Sequence, residues 1–460
     1  MTYYAALQLR EIGRSSLSAV KGVNKFLFFG GVVAVGVVSA IFASLALLSE
    51  EIFRSSIQSS SYIPFILTPA GLVIVSLLTR RYFPNAKSSG IPQTIAALEM
   101  ESHQQRSKLL SLRIAAGKVG MSLLALLSGA SIGRGVPTVH IGASILYSIG
   151  RDTNSSSVEL DSRLILAGGA AGLAAAFNAP LAGIVFALEE LNRSARHHIN
   201  NSISTSVILA ALLAGVVAII ILGDYHYFGQ SEASLNLGST FNLTTISAVI
   251  VCGVMGGAIG GIFASTLIHG TRHITPLLIK HPILVPALCG VVIATAGLLS
   301  DNSSFGTGYR EAHAFINGSY SDGNLASGFN YSIMKMVATI ASFFSGIPGG
   351  ILTPSLATGA GLGAGFAQWF PAELLPAMVL MGMVGYFAGV VQTPITAFVI
   401  VMEITDNQQM LLPLMATAFI AYNISKIFCP KPIYLLLAES FLDSDARDRR
   451  DHRKAIKESI

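Results

Sequence analysis

The chain has 460 residues, of which 52% are hydrophobic and only 12% are charged. Because soluble domains carry about 25% charged residues, this composition excludes an ordinary soluble protein and indicates a membrane protein. The net charge of +5 does not indicate nucleic-acid binding, since the basic residues lie at the chain ends and in short loops. The sequence contains no Ser-His-Asp, HExxH or paired-cysteine pattern, so we expect neither an enzyme nor a metal site.

Residues 1–26 are predicted to form a cytoplasmic N-terminal segment. Basic residues precede the first long apolar run at Arg10, Arg14, Lys21 and Lys25. A short charged tail, 441–460, follows the last apolar run, so the positive-inside rule places both ends in the cytoplasm. The first apolar run begins near residue 27 and reaches full spanning length, which favours a membrane helix over a cleaved signal peptide. We expect a prokaryotic inner membrane as the location.

Apolar runs of bilayer length, which requires about 20 residues per span, recur along the whole chain. Examples are 27–48, 204–222, 245–268, 377–402 and 411–428. The polar stretches between the runs are too short to bury a core of their own. We therefore predict an all-α polytopic membrane protein with a first half at 27–222 and a second half at 223–440.

The two halves resemble each other. Three landmarks recur in the same order: Gly90 with Gly308, Pro137 with Pro354, and Pro180 with Pro394. The displacements are nearly constant at 218 (308 − 90), 217 (354 − 137) and 214 (394 − 180). The pattern indicates an internal duplication of the kind that many membrane transporters carry.

Three Gly- and Pro-rich segments predict helices that begin inside the bilayer: SSGIP (88–92), GRGVP (133–137) and GIPGGILTP (346–354). A helix start leaves backbone N–H groups free and carries a partial positive charge, which together attract an anion. Arg134 adds a cation, and the sequence has no carboxylate between Glu101 and Asp152. Arg134 either adds positive potential for a mobile anion or caps carbonyls and organises the site without touching the ion.

These segments resemble the signatures of the CLC family of chloride channels and proton/chloride antiporters. The family's GSGIP, GREGP and GIFAP motifs are similar to SSGIP (88–92), GRGVP (133–137) and GILTP (350–354), and KPIY stands at 431–434. The likeness runs from about residue 25 to 440. It implies a homodimer with one pore per subunit, built between two inverted halves with broken or re-entrant helices. The short tail 441–460 fits the prokaryotic type without cytoplasmic regulatory domains.

The resemblance also implies an anion site. Ser89 and Tyr434 would offer hydroxyls to a central anion, and the backbone amides of Ile351 and Leu352 would complete that site. An external site would lie at the amides of Arg134, Gly135 and Val136. A serine at position 89 favours chloride over nitrate or fluoride. The expected partners are chloride, the lipid bilayer and a second subunit, and no cofactor is expected.

Gly135 departs from the family pattern. The family places a gating glutamate there, and the neighbouring family glycine is Val136. Without that carboxylate we expect chloride transport to be passive and uncoupled from protons. The alternative is a proton/chloride antiporter that uses another acid, such as Glu190 beside Glu189, because Glu190 matches the family's internal proton-transfer glutamate. A secondary transporter of another small solute is a third hypothesis, compatible with the repeat alone.

Two further residues lie near these motifs. Lys118 stands sixteen residues before Arg134, where the family tends to place a lysine, and its charge state stays open because Gln93 and Ile95 stand where an acidic partner is expected. His140 titrates near neutral pH in water, yet a lone histidine on an apolar face is more often a core residue. We interpret it as one.

Overall fold

A computed structural model describes residues 25–60, 62–151, 158–192, 205–223, 228, 243–318 and 326–442. Nearly all of the predicted cytoplasmic segment 1–26 and of the tail 441–460 lies outside these ranges. The described residues fold as α-helices joined by short turns. In chain order the helices are α1 (Lys25–Ile57), α2 (Pro64–Tyr82), α3 (Ile91–Glu99), α4 (His103–Leu109), α5 (Leu112–Leu127), α6 (Gly135–Arg151), α7 (Val158–Phe177), α8 (Pro180–Phe186), α9 (Thr205–Leu222), α10 (Leu243–Lys280), α11 (Leu284–Leu299), α12 (Tyr309–Ile316), α13 (Ala326–Phe344), α14 (Leu352–Ala367), α15 (Leu375–Val391), α16 (Pro394–Ile404), α17 (Leu411–Phe428) and α18 (Ile433–Leu442).

Helices of membrane-spanning length dominate the described chain. Eight helical stretches are long and apolar enough to cross a bilayer, and three shorter apolar helices accompany them. Several other helices are too short to span, including α3 and α8, with 9 and 7 residues. The chain is therefore an integral membrane protein of the all-helical polytopic class.

The apolar run at 377–402 forms two helices instead of one span. α15 ends at Val391, Gln392 has a left-handed φ of 60°, and α16 begins at Pro394. Proline disfavours helical geometry in the residue before it and cannot donate an N–H to a continuing helix. The equivalent break between α7 and α8 has Asn178 at φ 54° before Pro180. Hydropathy alone does not register these breaks, because the flanking residues are apolar on both sides.

The predicted duplication is visible in the order of the helices. α12 begins 218 residues after α3 (309 − 91), and α14 begins 217 residues after α6 (352 − 135). Packing repeats as well: α6 lies on α7 as α14 lies on α15, and α1 lies on α9 as α10 lies on α17. Each half thus builds the same set of helix pairs.

Two glutamates join the halves through matched contacts. The hydrogen bonds are Ile395 N to Glu189 Oε1 (3.1 Å), Thr396 N to Glu189 Oε2 (2.5 Å), Leu181 N to Glu403 Oε1 (3.0 Å) and Ala182 N to Glu403 Oε2 (2.7 Å). Glu189 and Glu403 are 214 residues apart (403 − 189), as are the two pairs of donors. Such an exchange of equivalent contacts is what a twofold axis between the halves produces. Each carboxylate also meets the partial positive charge of a helix start.

Glycines allow the second half to pack closely. A Cβ on Gly363 of α14 would lie 2.1 Å from the carbonyl O of Met378 in α15. A Cβ on Gly257 of α10 would lie 2.5 Å from the carbonyl O of Ala421 in α17. The glycine-rich stretch 359–365 and the GxxxG repeat of α10, formed by Gly253, Gly257 and Gly261, are therefore helix-packing surfaces, as is common in membrane bundles.

Replacing Glu403 with alanine should destabilise the protein, because the N–H groups of Leu181 and Ala182 lose their acceptor. Loss of a helix cap costs about 1–2 kcal/mol, so the thermal midpoint in detergent should fall. The matched control is Glu373→Ala, since Glu373 is exposed. Equal midpoints for the two variants would show that the exchanged contacts between the halves contribute little.

Candidate functional site

The turn at residues 88–90, here called the Ser89 turn, begins the site. Ser88 and Gly90 have left-handed φ values of 66° and 110°, and α3 starts directly after them. Ser89 is fully buried, and its Oγ has no hydrogen-bond partner in the part of the chain that the structure describes. Several buried hydroxyls among the described residues share this property, and the position of Ser89 at the start of α3 makes a ligand one explanation for it.

The Ser89 turn is fixed from two sides. The Ser88 N–H donates to the Ile347 carbonyl (3.3 Å), and the Gly349 N–H donates to the Ser88 carbonyl (3.3 Å). The fully buried ammonium of Lys118 donates to the same Ser88 carbonyl at 3.1 Å. Lys118 therefore lies directly behind the turn, where it holds the backbone in place.

The starts of α6 and α14 meet at a pair of glycines. Gly133 N–H donates to the Gly350 carbonyl (2.6 Å), and Gly350 N–H donates to the Gly133 carbonyl (3.1 Å). These residues are 217 apart (350 − 133), so each glycine pairs with its own counterpart in the other half. A Cβ on Gly350 would lie 2.7 Å from Val136 Cβ, so only glycine permits this approach. Together with the Ser88 contacts, this pair brings the beginnings of α3, α6 and α14 to one place.

The predicted amide donors lie at the start of α14. Ile351 is the residue that precedes the helix, and Leu352 is its first residue. Both side chains are buried, at 3% and 1% exposure. The neighbouring Thr353 is fully buried, and its Oγ1 has no hydrogen-bond partner among the described residues.

Arg134 contacts α1. One guanidinium N–H donates to the Ala43 carbonyl at 2.5 Å, and the side chain is only 2% exposed. This contact corresponds to the alternative in which the arginine caps a carbonyl and organises the site. Ala43 was not predicted as a partner, because the two residues are 91 positions apart in the chain.

Gly135 is the first residue of α6 and faces an aromatic ring. A Cβ at position 135 would lie 2.3 Å from both Cε2 and Cζ of Phe177, the last residue of α7. Phe177 is 1% exposed. Its ring therefore occupies the space that any side chain at position 135 would enter. The Gly135 carbonyl also accepts a hydrogen bond from the Thr138 hydroxyl. Sequence reasoning missed Phe177 as a residue of this site.

Glu190 and Tyr434 are two further residues that the sequence predicted for the site. α8 is followed by a π-helical turn, Ala187–Leu191, of the kind that is frequent at functional sites. Within it Glu189 caps α16, while Glu190 is 1% exposed. Tyr434 is 1% exposed, and its hydroxyl has no hydrogen-bond partner among the described residues. Lys87, beside the Ser89 turn, lies 5.5 Å from the centre of the Phe441 ring in the same helix as Tyr434.

His140 lies beneath the Ser89 turn. It is fully buried, and its Nε2 is 2.9 Å from the Leu109 carbonyl O. A Cβ on Gly90 would lie 2.7 Å from His140 Cβ, so the ring packs against the turn. The geometry agrees with a core residue that supports the site.

Known proteins share this architecture. A family model described as "Voltage gated chloride channel" matches residues 70–426. A slow cyanobacterial Cl⁻/H⁺ antiporter has a similar structure, with a TM-score of 0.76 at 23% identity over 91% of this chain and 98% of that chain. A CLC-type fluoride/proton antiporter gives 0.72 at 24% identity over 92% and 98% of the two chains. A eukaryotic CLC transporter gives 0.68 at 19% identity over 90% and 74%.

Replacing Gly135 with alanine should force the Phe177 ring to move. Overpacking of this kind costs about 1–3 kcal/mol, so the thermal midpoint should fall, and Phe177→Leu in the same background should restore part of it. Gly120→Ala in α5 is the control, because a Cβ there meets nothing within 4 Å. A Gly135→Ala variant as stable as Gly120→Ala would contradict the contact.

Proposed function

Because this chain belongs to the CLC family of membrane anion channels and transporters, which are not enzymes, we propose that it conducts chloride passively. Ser89 is the observation that carries the proposal: a fully buried hydroxyl at the start of a helix, with no partner in the described protein. An anion there would accept the hydroxyl hydrogen and face the free N–H groups of the helix start. Family membership favours an anion over the neutral solute of the third hypothesis.

The proposed central site has four neutral donors. These are the hydroxyls of Ser89 and Tyr434 and the backbone N–H groups of Ile351 and Leu352. The hydrogen bonds between the Ser89 turn and the segment that leads into α14 support the grouping of Ser89 with Ile351 and Leu352, whereas Tyr434 is included on the family resemblance. Neutral donors suit an ion that must bind and also leave, since a fully charged partner would retain it. Buried Lys118 adds positive potential from behind the turn without being a proposed direct ligand.

The proposed external site lies at the amides of Arg134, Gly135 and Val136. Position 135 carries no carboxylate that could compete with the anion or carry a proton. The Phe177 ring beside it is apolar and cannot take over either task. Movement of chloride through this site would therefore follow its electrochemical gradient.

Glu190 supports a second candidate, a proton/chloride antiporter. Its side chain is buried in the π-helical turn that packs against α3, the helix that follows the Ser89 turn. The solved relatives described as a Cl⁻/H⁺ antiporter and a fluoride/proton antiporter couple their anions to protons. In this chain Glu189 caps α16, which leaves Glu190 as the stronger candidate for proton transfer.

The proposed assembly is a homodimer with one pore per subunit in a prokaryotic inner membrane, with both ends in the cytoplasm. The cluster of basic residues before α1 and in the tail supports this orientation. Large apolar side chains are exposed on α9 and α17, such as Ile220 at 76% and Ile427 at 73%. Lipid and a second subunit are the surroundings that would cover them.

Chloride-loaded liposomes test passive transport. With valinomycin present, we expect chloride efflux without proton uptake. The Glu190→Gln variant should show the same chloride efflux and the same absence of proton uptake as the wild type. A chloride gradient that drives protons uphill, and a loss of that movement in Glu190→Gln, would replace the passive mechanism with the antiporter. Absence of any chloride efflux from the wild type would reject both.

Ser89→Ala and Tyr434→Phe should each weaken chloride binding, because each removes one hydroxyl donor. A hydrogen bond to a charged group contributes about 1.5–3 kcal/mol, which corresponds to a loss of roughly tenfold or more in affinity. Calorimetry on detergent-solubilised protein measures the effect. Ser440→Ala and Tyr82→Phe are matched controls on exposed residues. Unchanged affinity in both site variants would remove these two residues from the site.

A further inference from the structure

The second half of the chain contains a copy of the Ser89 turn. Residues 306–308, here called the Thr307 turn, lie 218 positions after residues 88–90 and lead into α12 as the Ser89 turn leads into α3. The first residues of the two turns have φ values of 66° and 67°, and the third residues have 110° and 80°. Thr307 stands where the first turn has Ser89, so both turns place a hydroxyl at their centre.

A buried lysine supports each turn in the same way. Lys118 and Lys335 are 217 residues apart (335 − 118) and are both fully buried. Lys118 Nζ donates to the Ser88 carbonyl at 3.1 Å, and Lys335 Nζ donates to the Gly306 carbonyl at 2.7 Å. Lys335 also donates to the carbonyls of Ser304 (3.0 Å) and Phe305 (3.3 Å). The cation behind the proposed chloride site thus has a counterpart behind the Thr307 turn.

The residues that pack against the last glycine of each turn also correspond. A Cβ on Gly90 would lie 2.7 Å from His140 Cβ and 3.4 Å from Lys118 Nζ. A Cβ on Gly308 would lie 2.6 Å from Ala357 Cβ and 2.9 Å from Lys335 Cε. His140 and Ala357 are themselves 217 apart (357 − 140). The two turns are therefore built from corresponding residues in corresponding positions.

The two turns differ in the hydrogen-bond acceptor that their central hydroxyl contacts. Glu50 of α1, only 4% exposed, places its carboxylate on the Thr307 turn: Oε2 accepts the Thr307 hydroxyl at 2.8 Å and the Thr307 N–H at 3.3 Å. The position of α10 that corresponds to Glu50 is Ile268 (268 − 50 = 218). Accordingly, the Ser89 hydroxyl is left without a partner in the described chain, whereas the Thr307 hydroxyl binds a negative charge.

The charges around the Thr307 turn balance only when Glu50 is present. Arg54 NH2 lies 3.2 Å from Glu50 Oε1 and 2.7 Å from Glu311 Oε1, and Lys335 completes a group of two cations and two carboxylates. Without Glu50 the group would keep two cations and one carboxylate. A buried surplus of positive charge is costly and favours the entry of an anion.

We propose that the Thr307 turn is a second small-anion site, occupied by the Glu50 carboxylate as a tethered ligand, and that it accepts a halide when the Glu50 side chain is shortened and no longer fills the turn. The choice of halide rests on the proposed function of the Ser89 turn. Glu50 thereby keeps mobile anions out of one of two similar sites and leaves the other available to them.

The test is rescue of Glu50→Ala by bromide. The thermal midpoint of this variant should be low in gluconate and should rise, with saturation, by more than that of the wild type as bromide replaces gluconate at constant ionic strength, because the variant would gain a bromide site in addition to the one proposed at Ser89. Anomalous diffraction from bromide-soaked crystals should show a peak beside Thr307 Oγ1. The double variant Glu50→Ala/Thr307→Val should bind bromide at that place about tenfold more weakly, the equivalent of about 1.4 kcal/mol.

Wild type and Glu50→Gln are the controls, since both side chains fill the turn; neither should show a bromide peak at Thr307. A peak at Ser89 in all variants, with none at Thr307 in Glu50→Ala, would overturn this proposal alone. The absence of any peak at Ser89 in the wild type would instead count against the proposed function. If Glu50→Ala and Glu50→Ser fail to fold even in high bromide while Glu50→Gln folds, halide does not replace the carboxylate and the proposal is wrong.

Discussion

Free backbone N–H groups at the starts of helices are the constraint on which this structure depends. A helix that starts inside the bilayer exposes its first amides where water cannot satisfy them. The chain meets this constraint in two ways. At α8 and α16 the carboxylates of Glu403 and Glu189 accept the N–H groups directly. At α3, α6 and α14 the starts converge through the pairing of Gly133 with Gly350 and of the Ser89 turn with the segment before α14, and the proposed acceptor there is a mobile anion.

The residues of the proposed pore are held by backbone contacts more than by side-chain contacts. Ser88 contacts its neighbours through its N–H and carbonyl, and Gly133 and Gly350 have no side chains to use. Lys118 and Arg134, the two buried cations of this region, each donate to a main-chain carbonyl, of Ser88 and Ala43 respectively. Lys118 thus holds the Ser89 turn, and Arg134 joins the segment before α6 to α1. This arrangement leaves the hydroxyls of Ser89 and Tyr434 available for a ligand.

The sequence predicted much of this arrangement because its signals are local. Glycines and prolines mark the helix starts at 90–92, 133–137 and 350–354, and a constant displacement reveals the duplication. The apolar run at 377–402 was misleading, since hydropathy does not register a left-handed residue followed by proline. The contacts of Gly135 with Phe177, of Arg134 with Ala43 and of Thr307 with Glu50 join positions far apart in the chain. A single sequence carries no signal for such pairs until the fold brings them together.

The exchanged caps of Glu189 and Glu403 bear on the ancestry of the chain. Neither half satisfies the amides of its own short helix, because each half supplies the carboxylate that the other requires. An ancestor consisting of one half would therefore have needed to form a homodimer, in which the glutamate of each subunit capped the short helix of the other. Gene fusion would make this association intramolecular, so that it would no longer depend on the concentration of the protein. Once fused, the two copies could diverge at positions such as 50 and 268, so that similar sites came to hold different anions.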